Sequence, residues 1–156
     1  MKSISYEQAL SRLAAYCSRS EKCLQDVRKR LDQWDLPSQD KLRIIQTLQK
    51  NNFLNEERYA FAFVRDKSRF NEWGKLRIAL ELNRKNISPE IIKQALNQIN
   101  PEESITQLIT LLKRKQKTIK AHTDFEARQK LMRFAAGRGF PLEYIEKAIM
   151  KIREQE

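Results

Sequence analysis

Apolar residues recur along this chain at helical spacing, and helix-stopping residues interrupt them at regular intervals. Tyr6, Ala9, Leu10, Leu13, Ala14 and Cys17 fall on one helical face, and Ser5 with Gln8 makes a capping box in front of them. Cys23, Leu24, Val27 and Leu31 predict a second helix with Ser20 as its N-cap. Pro37 opens a turn, and Ser38 is expected to cap a third helix that faces inward through Leu42, Ile45 and Leu48 and stops at Asn51-Asn52.

The same three-beat pattern then repeats. Asn55 caps a helix with Tyr59, Ala60, Phe63 and Val64 on its apolar face, a break runs from Ser68 to Gly74, and a helix facing inward through Leu76, Ala79, Leu80 and Leu82 closes at Asn86. Ser88 at the N-cap and Pro89 at the first helical position start a third helix carrying Ile91, Ile92, Ala95, Leu96 and Ile99. A last round begins at Pro101-Glu102-Glu103 with Ile105, Leu108, Ile109 and Leu112, continues from Phe125 to Ala136, and ends with Leu142 to Ile152 after the turn Gly139-Phe140-Pro141. The turns at Leu36-Pro37, Ile87-Ser88-Pro89 and Phe140-Pro141 are spaced 51 and 53 residues apart. The expected fold is therefore all-α, three tandem three-helix repeats covering residues 1–52, 53–100 and 101–156. Each unit is too small to hide its apolar stripe alone, so the units should stack into an elongated, curved helical array. Such a body offers a long groove, which suits a filament, a nucleic acid or a peptide better than a small molecule.

Composition removes several function classes. Gly74, Gly137 and Gly139 are the only glycines in 156 residues, so neither a P-loop nor a dinucleotide fingerprint can be written. His122 is the single histidine and stands in a polar stretch, and no nucleophile, base and orienting residue come together. The chain therefore reads as a non-enzyme that needs no cofactor and no metal. Glu56-Glu57 and Glu102-Glu103 fall in first helical turns, where the helix dipole accounts for them. Met1 to Glu7 holds no apolar signal region and no apolar run is long enough to cross a bilayer, so the expectation is a soluble, monomeric, cytoplasmic protein without a membrane role. Cys17 and Cys23 have neither disulfide nor zinc spacing and read as buried thiols, as Trp34 reads as core.

Charge is more informative. Lys and Arg number 31 against 20 Asp and Glu, a net +11, and the excess is +4, +3 and +4 over residues 1–50, 51–100 and 101–156. A long positive surface follows. Lys113-Arg114-Lys115-Gln116-Lys117-Thr118-Ile119-Lys120 holds five cations and no acid where a helix runs on past its apolar face. It is either a phosphate-binding segment acting by counterion release or an exposed extension that keeps the protein soluble. A second cluster, Arg65, Lys67, Arg69, Trp73, Gly74, Lys75 and Arg77, has the composition of an interface hot spot. Its structural alternative is that Trp73 packs over a helix junction and Gly74 relieves the turn.

Phe53-Leu54-Asn55-Glu56-Glu57-Arg58-Tyr59-Ala60, then Phe63-Val64-Arg65-Asp66-Lys67, then Gly74-Lys75-Leu76-Arg77-Ile78 with Glu81-Leu82, closely resemble the central segment of the bacterial RecX regulatory proteins. Ala9-Leu10 with Leu13, Arg19-Ser20-Glu21 and Leu31-Asp32-Gln33-Trp34 extend the resemblance into the first unit. The likeness is sharpest from Phe53 to Leu96 and weakest after Pro101. Asn55-Glu56 stands where the family often has two acids, and Asn86 where it often has Gly. The resemblance implies three three-helix repeats, no catalysis, binding to RecA and its filament on single-stranded DNA, DNA binding, and restraint of RecA ATPase, strand exchange and coprotease activity. Combined with the charge pattern, it makes Arg65, Lys67, Arg69, Trp73, Gly74, Lys75 and Arg77 the expected RecA contacts. Lys113, Arg114, Lys115, Lys117 and Lys120 become the expected sequence-nonspecific DNA-phosphate contacts. Two competing readings are a helix-turn-helix DNA-binding regulator and a helical protein-binding scaffold.

Overall fold

The computed structural model describes residues 2–156. Among them nine helices run in chain order: α1 (Tyr6–Arg19), α2 (Leu24–Leu31), α3 (Ser38–Lys50), α4 (Glu56–Arg69), α5 (Lys75–Arg84), α6 (Pro89–Leu96), α7 (Pro101–Gln116), α8 (Asp124–Gly137) and α9 (Leu142–Glu154). One departure from an all-helical reading is a two-residue parallel pair, β1 (Lys2–Ser3) on β2 (Trp34–Asp35), in which Lys2 pairs with Trp34.

Local chemistry explains most helix starts. The Ser5 hydroxyl accepts from the Gln8 N–H and the Gln8 side chain accepts from the Ser5 N–H, completing the capping box of α1. Asn55, Ser88, Asn100 and Thr123 each accept first-turn N–H groups of α4, α6, α7 and α8. Ser20 does not cap α2: it ends α1, and α2 starts after Cys23, whose N–H donates to the Asp26 carboxylate at 3.5 Å. Pro37, rather than Ser38, occupies the N-cap of α3. Asn52 and Asn86 take left-handed φ values of 62° and 61°, which lets each chain end turn sharply after its helix.

Each unit has its own apolar core, and the first two interlock. Leu13, Val27, Ile44 and Leu48 centre the first, to which Leu54 belongs. Ala60, Val64, Ile78 and Leu82 centre the second, to which Cys23 of the preceding unit contributes. Leu108, Leu112, Phe140 and Ile145 centre the third. Both cysteines are free and buried, and burial pushes the Cys23 thiol up to about 11. The exposed surface is 10186 Å², against about 8,200 Å² expected for a compact monomer of this mass. The excess is that of an extended array. No helix of the described residues is long and apolar enough to cross a membrane.

At both seams the middle helix of one unit points its N-terminus at the next unit. First-turn N–H groups have no partner within their own helix, so they bond outward. At the first seam the Leu24 N–H donates to the Glu56 carboxylate at 3.2 Å, and Lys85 Nζ meets Asp26 at 2.9 Å. With its amide nitrogen turned toward them, Gln25 also donates to the carbonyls of Arg84 and Lys85, both at 3.1 Å. At the second seam the bonds are backbone to backbone: the Gly74 N–H donates to Arg138 O at 2.8 Å and the Leu76 N–H to Gly139 O at 2.9 Å. A Cβ on Gly74 would strike the Gly139 backbone, and one on Gly139 would lie 2.5 Å from the Arg77 nitrogen, at a backbone φ of 93°. Two of the three glycines therefore exist to let these units touch.

Gly139→Ala should lower the unfolding free energy on the order of 2–4 kcal/mol through clash and positive φ together. Gly137→Ala, with nothing within 4 Å of the added Cβ, should stay within about 1 kcal/mol of the wild type on the stable side. Urea unfolding followed by circular dichroism checks both, and equal effects would contradict the contact. Burial raises the Asp26 carboxyl, but hydrogen bonds from Lys85 and Cys23 outweigh it and hold the group below the ordinary range. A lowered carboxyl adds stability above its unfolded pKa and loses it as pH falls through the folded one. The stability difference between wild type and Asp26→Asn should therefore shrink from about pH 6 to about pH 3. A constant difference across that range would remove the ion pair from the account.

Candidate functional site

The loop from α4 to α5 places one tryptophan at the centre of a basic surface. The Trp73 N–H donates to Lys67 O at 3.1 Å, which folds the chain back after α4. Its ring meets Phe63 edge to face at 6.4 Å between centroids, with Lys67 Nζ at 5.0 Å and the Arg77 guanidinium at 4.1 Å from the ring centre. Trp73 thus packs over the junction, the structural alternative, and remains half-buried. Gly74 does not reach the surface. It is buried against Gly139, so its part in the site is to bring two units together rather than to touch a partner.

The third unit continues this surface across the seam. Arg138 donates to Asn71 O at 3.1 Å and lies 5.0 Å from the Phe134 ring, which Lys115 approaches at 4.9 Å from the same unit. Lys75 sits 5.2 Å from the ring of Tyr144. Arg114 Nη2 donates to both carboxylate oxygens of Glu72, at 2.8 and 2.7 Å. Each aromatic contact is worth about 0.5–1 kcal/mol at an exposed position, and its larger effect is to hold a long cationic side chain in one place. Of the second sequence cluster, some forty residues further on, Arg114 and Lys115 are therefore brought to the seam beside the first. Beside Trp73, Arg65 and Arg69 line a groove of about 290 Å³ whose other wall is Asn100, Glu103, Ser104 and Gln107.

The run from Lys113 to Lys120 is not the uncompensated helix extension that its composition predicts. The helix ends at Gln116, and the cations disperse in different directions. Arg114 is neutralised by Glu72, Lys115 is drawn onto Phe134, and Lys113 with Lys117 borders a shallow groove that includes Gln155 and Glu156. Lys120 lies in the following loop, where its carbonyl accepts from Lys130 at 2.5 Å. A linear count of charge misses this because consecutive helical residues point about 100° apart.

Several contributors escaped the sequence reading. Glu72 occupies a left-handed position at φ 55°, and Arg138, Phe134 and Tyr144 come from the divergent third unit. Gly139 carried a usable signal, since a glycine just before an apolar turn residue marks the place where Asn86 sits one unit earlier. Leu76 and Leu80 were expected inside but are 55% and 51% exposed. Ile78 and Leu82, one turn apart, take the buried face of α5, leaving Leu76 and Leu80 on the opposite side. Phe70, at the end of α4, is 80% exposed. The site is therefore basic, aromatic and apolar together.

Residues 55–96 match the family described as RecX, second three-helix domain, and residues 102–149 match RecX, third three-helix domain. A protein of Bacillus cytotoxicus named regulatory protein RecX is 25% identical over 97% of this chain, which spans only 54% of that protein. The protein of the same name from Clostridium acetobutylicum is 28% identical over 94% of this chain and 70% of its own length. The crystal structure of RecX from Lactobacillus salivarius matches with a TM-score of 0.87 over 95% of this chain and 96% of that one, at 20% identity. A further crystal structure of regulatory protein RecX matches with a TM-score of 0.84 over 92% of this chain and 72% of that one, at 23% identity. With two successive family domains covering more than half of its length and the RecX fold throughout, this chain belongs to the RecX family.

Proposed function

We propose that this chain is a non-catalytic, cytoplasmic regulator that restrains the RecA recombinase by seating the seam between its second and third units on a RecA filament formed on single-stranded DNA. The observation that carries the reading is the convergence of Arg65, Lys67, Arg69 and Arg77 around Trp73, with Lys75 held on Tyr144 across the seam and Leu76 and Leu80 exposed on α5. Guanidinium groups and an aromatic ring next to apolar side chains make the anchors of protein interfaces, where a few residues supply most of the binding energy. Membership of the RecX family supports the identity of the partner.

The extended shape supports contact with a filament, because an array offers its side chains to several protomers in succession. Seated in a filament groove, the seam blocks protomer addition or the subunit motion coupled to ATP turnover, and strand exchange and coprotease activity fall with it. The bound arginines meet acidic protein surface, and their attraction is screened by salt.

Equimolar addition of this protein to RecA on single-stranded DNA at low salt should lower ATP hydrolysis severalfold. The double variant Leu76→Asp, Leu80→Asp changes two exposed side chains, so it should keep its helical circular dichroism while binding the filament more weakly on the order of ten-fold or more. Unchanged ATP turnover with the wild type would sink the proposal, and full inhibition by the folded double variant would move the contact away from the seam.

A further inference from the structure

The seam combines charge with exposed apolar anchors, whereas a second basic cluster on the first unit has charge alone. On α1, Arg12, Tyr16 and Arg19 lie four and three residues apart and so share one stripe. Lys22 Nζ lies 4.5 Å and the Arg30 guanidinium 4.0 Å from the centre of the Tyr16 ring. Lys22 also donates to Ser20 O at 3.2 Å, which folds the loop between α1 and α2 over that ring. The neighbouring acids are engaged elsewhere: Glu21 with Arg58 at 2.7 Å and Asp26 with Lys85 at 2.9 Å. Among the described residues, none of Arg12, Arg19, Lys22 and Arg30 is paired with a carboxylate.

We infer that Lys22 and Arg30, held over the Tyr16 ring, together with Arg12 and Arg19 on the same stripe of α1, bind the phosphodiester backbone of single-stranded nucleic acid without reading its sequence. The inference rests on the preceding reading, in which the partner filament carries single-stranded DNA, and puts the phosphate contact on the first unit instead of on Lys113 to Lys120. Three features favour phosphate over an acidic protein surface. All four charges have one sign, and Glu21 and Asp26, the acids that follow them in the loop and in α2, are engaged by Arg58 and Lys85. No strongly exposed large apolar side chain lies on α1 or α2, so a protein partner has no anchor there. Tyr16 is itself half-buried and covered by two of the cations, so its role is to fix them. Cations held in place lose less rotamer freedom on binding than free lysines do.

The test is fluorescence anisotropy of a labelled oligothymidylate with the full chain, titrated with sodium chloride. For a single strand each neutralised phosphate contributes about 0.7 to the slope of log affinity against log salt, so the triple variant Arg12→Gln, Arg19→Gln, Arg30→Gln should lower that slope by about 2. The charge-matched triple Lys50→Gln, Lys93→Gln, Lys151→Gln, scattered over α3, α6 and α9, should keep it within about half a unit. Arg12→Lys, Arg19→Lys, Arg30→Lys retains the charges and should retain most of the slope, which separates phosphate contact from misfolding. Equal losses in the two glutamine triples, or no loss in the first, would overturn the inference. So would normal oligonucleotide binding by the first triple together with lost capture of DNA-free RecA, since the surface would then belong to a protein. If the wild type shows the expected slope yet leaves RecA ATPase untouched, the nucleic-acid site stands and the recombinase reading falls.

Discussion

The site depends on one close approach of two backbones. Gly74 caps α5 without a side chain, and the N–H groups at this helix start find their acceptors in the carbonyls of Arg138 and Gly139 on the next unit. Any Cβ at either glycine would push the units apart, and the strip from Trp73 through Arg77 to Arg138 and Phe134 would be cut in two. Arg114 with Glu72 and Gln107 with Ser68 O then add bonds across the same joint. Exposed ion pairs of this kind contribute at most about 1 kcal/mol, so they orient the surface rather than hold it closed.

The first seam solves the same problem with different chemistry. There the helix start at Cys23 is met by the Glu56 carboxylate, and the turn of the next unit is held by Asp26 and Gln25 instead of by glycine backbone. Side chains keep the backbones further apart than glycine does, and they consume acids. That consumption matters for the surface: engaging Glu21 and Asp26 internally leaves Arg12, Arg19, Lys22 and Arg30 unbalanced. A net charge of +11 therefore divides into two surfaces of different kinds, one with apolar anchors and one without.

Much of the fold was legible because helix caps and apolar spacing are local. Asn55, Ser88 with Pro89, and the turn before each third helix could be read from neighbouring residues alone. Where the local signal was degenerate the reading slipped. Ser20 and Cys23 both precede an apolar run, and only Asp26, which bonds back to the Cys23 N–H, decides between them. Leu76 and Leu80 fit a helical stripe as well as Ile78 and Leu82 do, and the choice is made by how α4 and α6 pack onto α5 within the unit, which sequence spacing does not contain. The site was legible as residue types but not as geometry. Arg114 looked free because Glu72 is 42 residues away, and Arg138 passed unnoticed because its partner is the carbonyl of Asn71.

The central claim is that the seam between the second and third units is the face that meets the RecA filament. Hydrogen exchange of this chain, measured alone and bound to RecA on single-stranded DNA, tests it most directly. The account predicts slowed exchange from Phe70 through Arg84 and at the end of α7, with the outer face of α3 unchanged. Protection confined to α3 or to α9, with the seam exchanging as in the free protein, would contradict it.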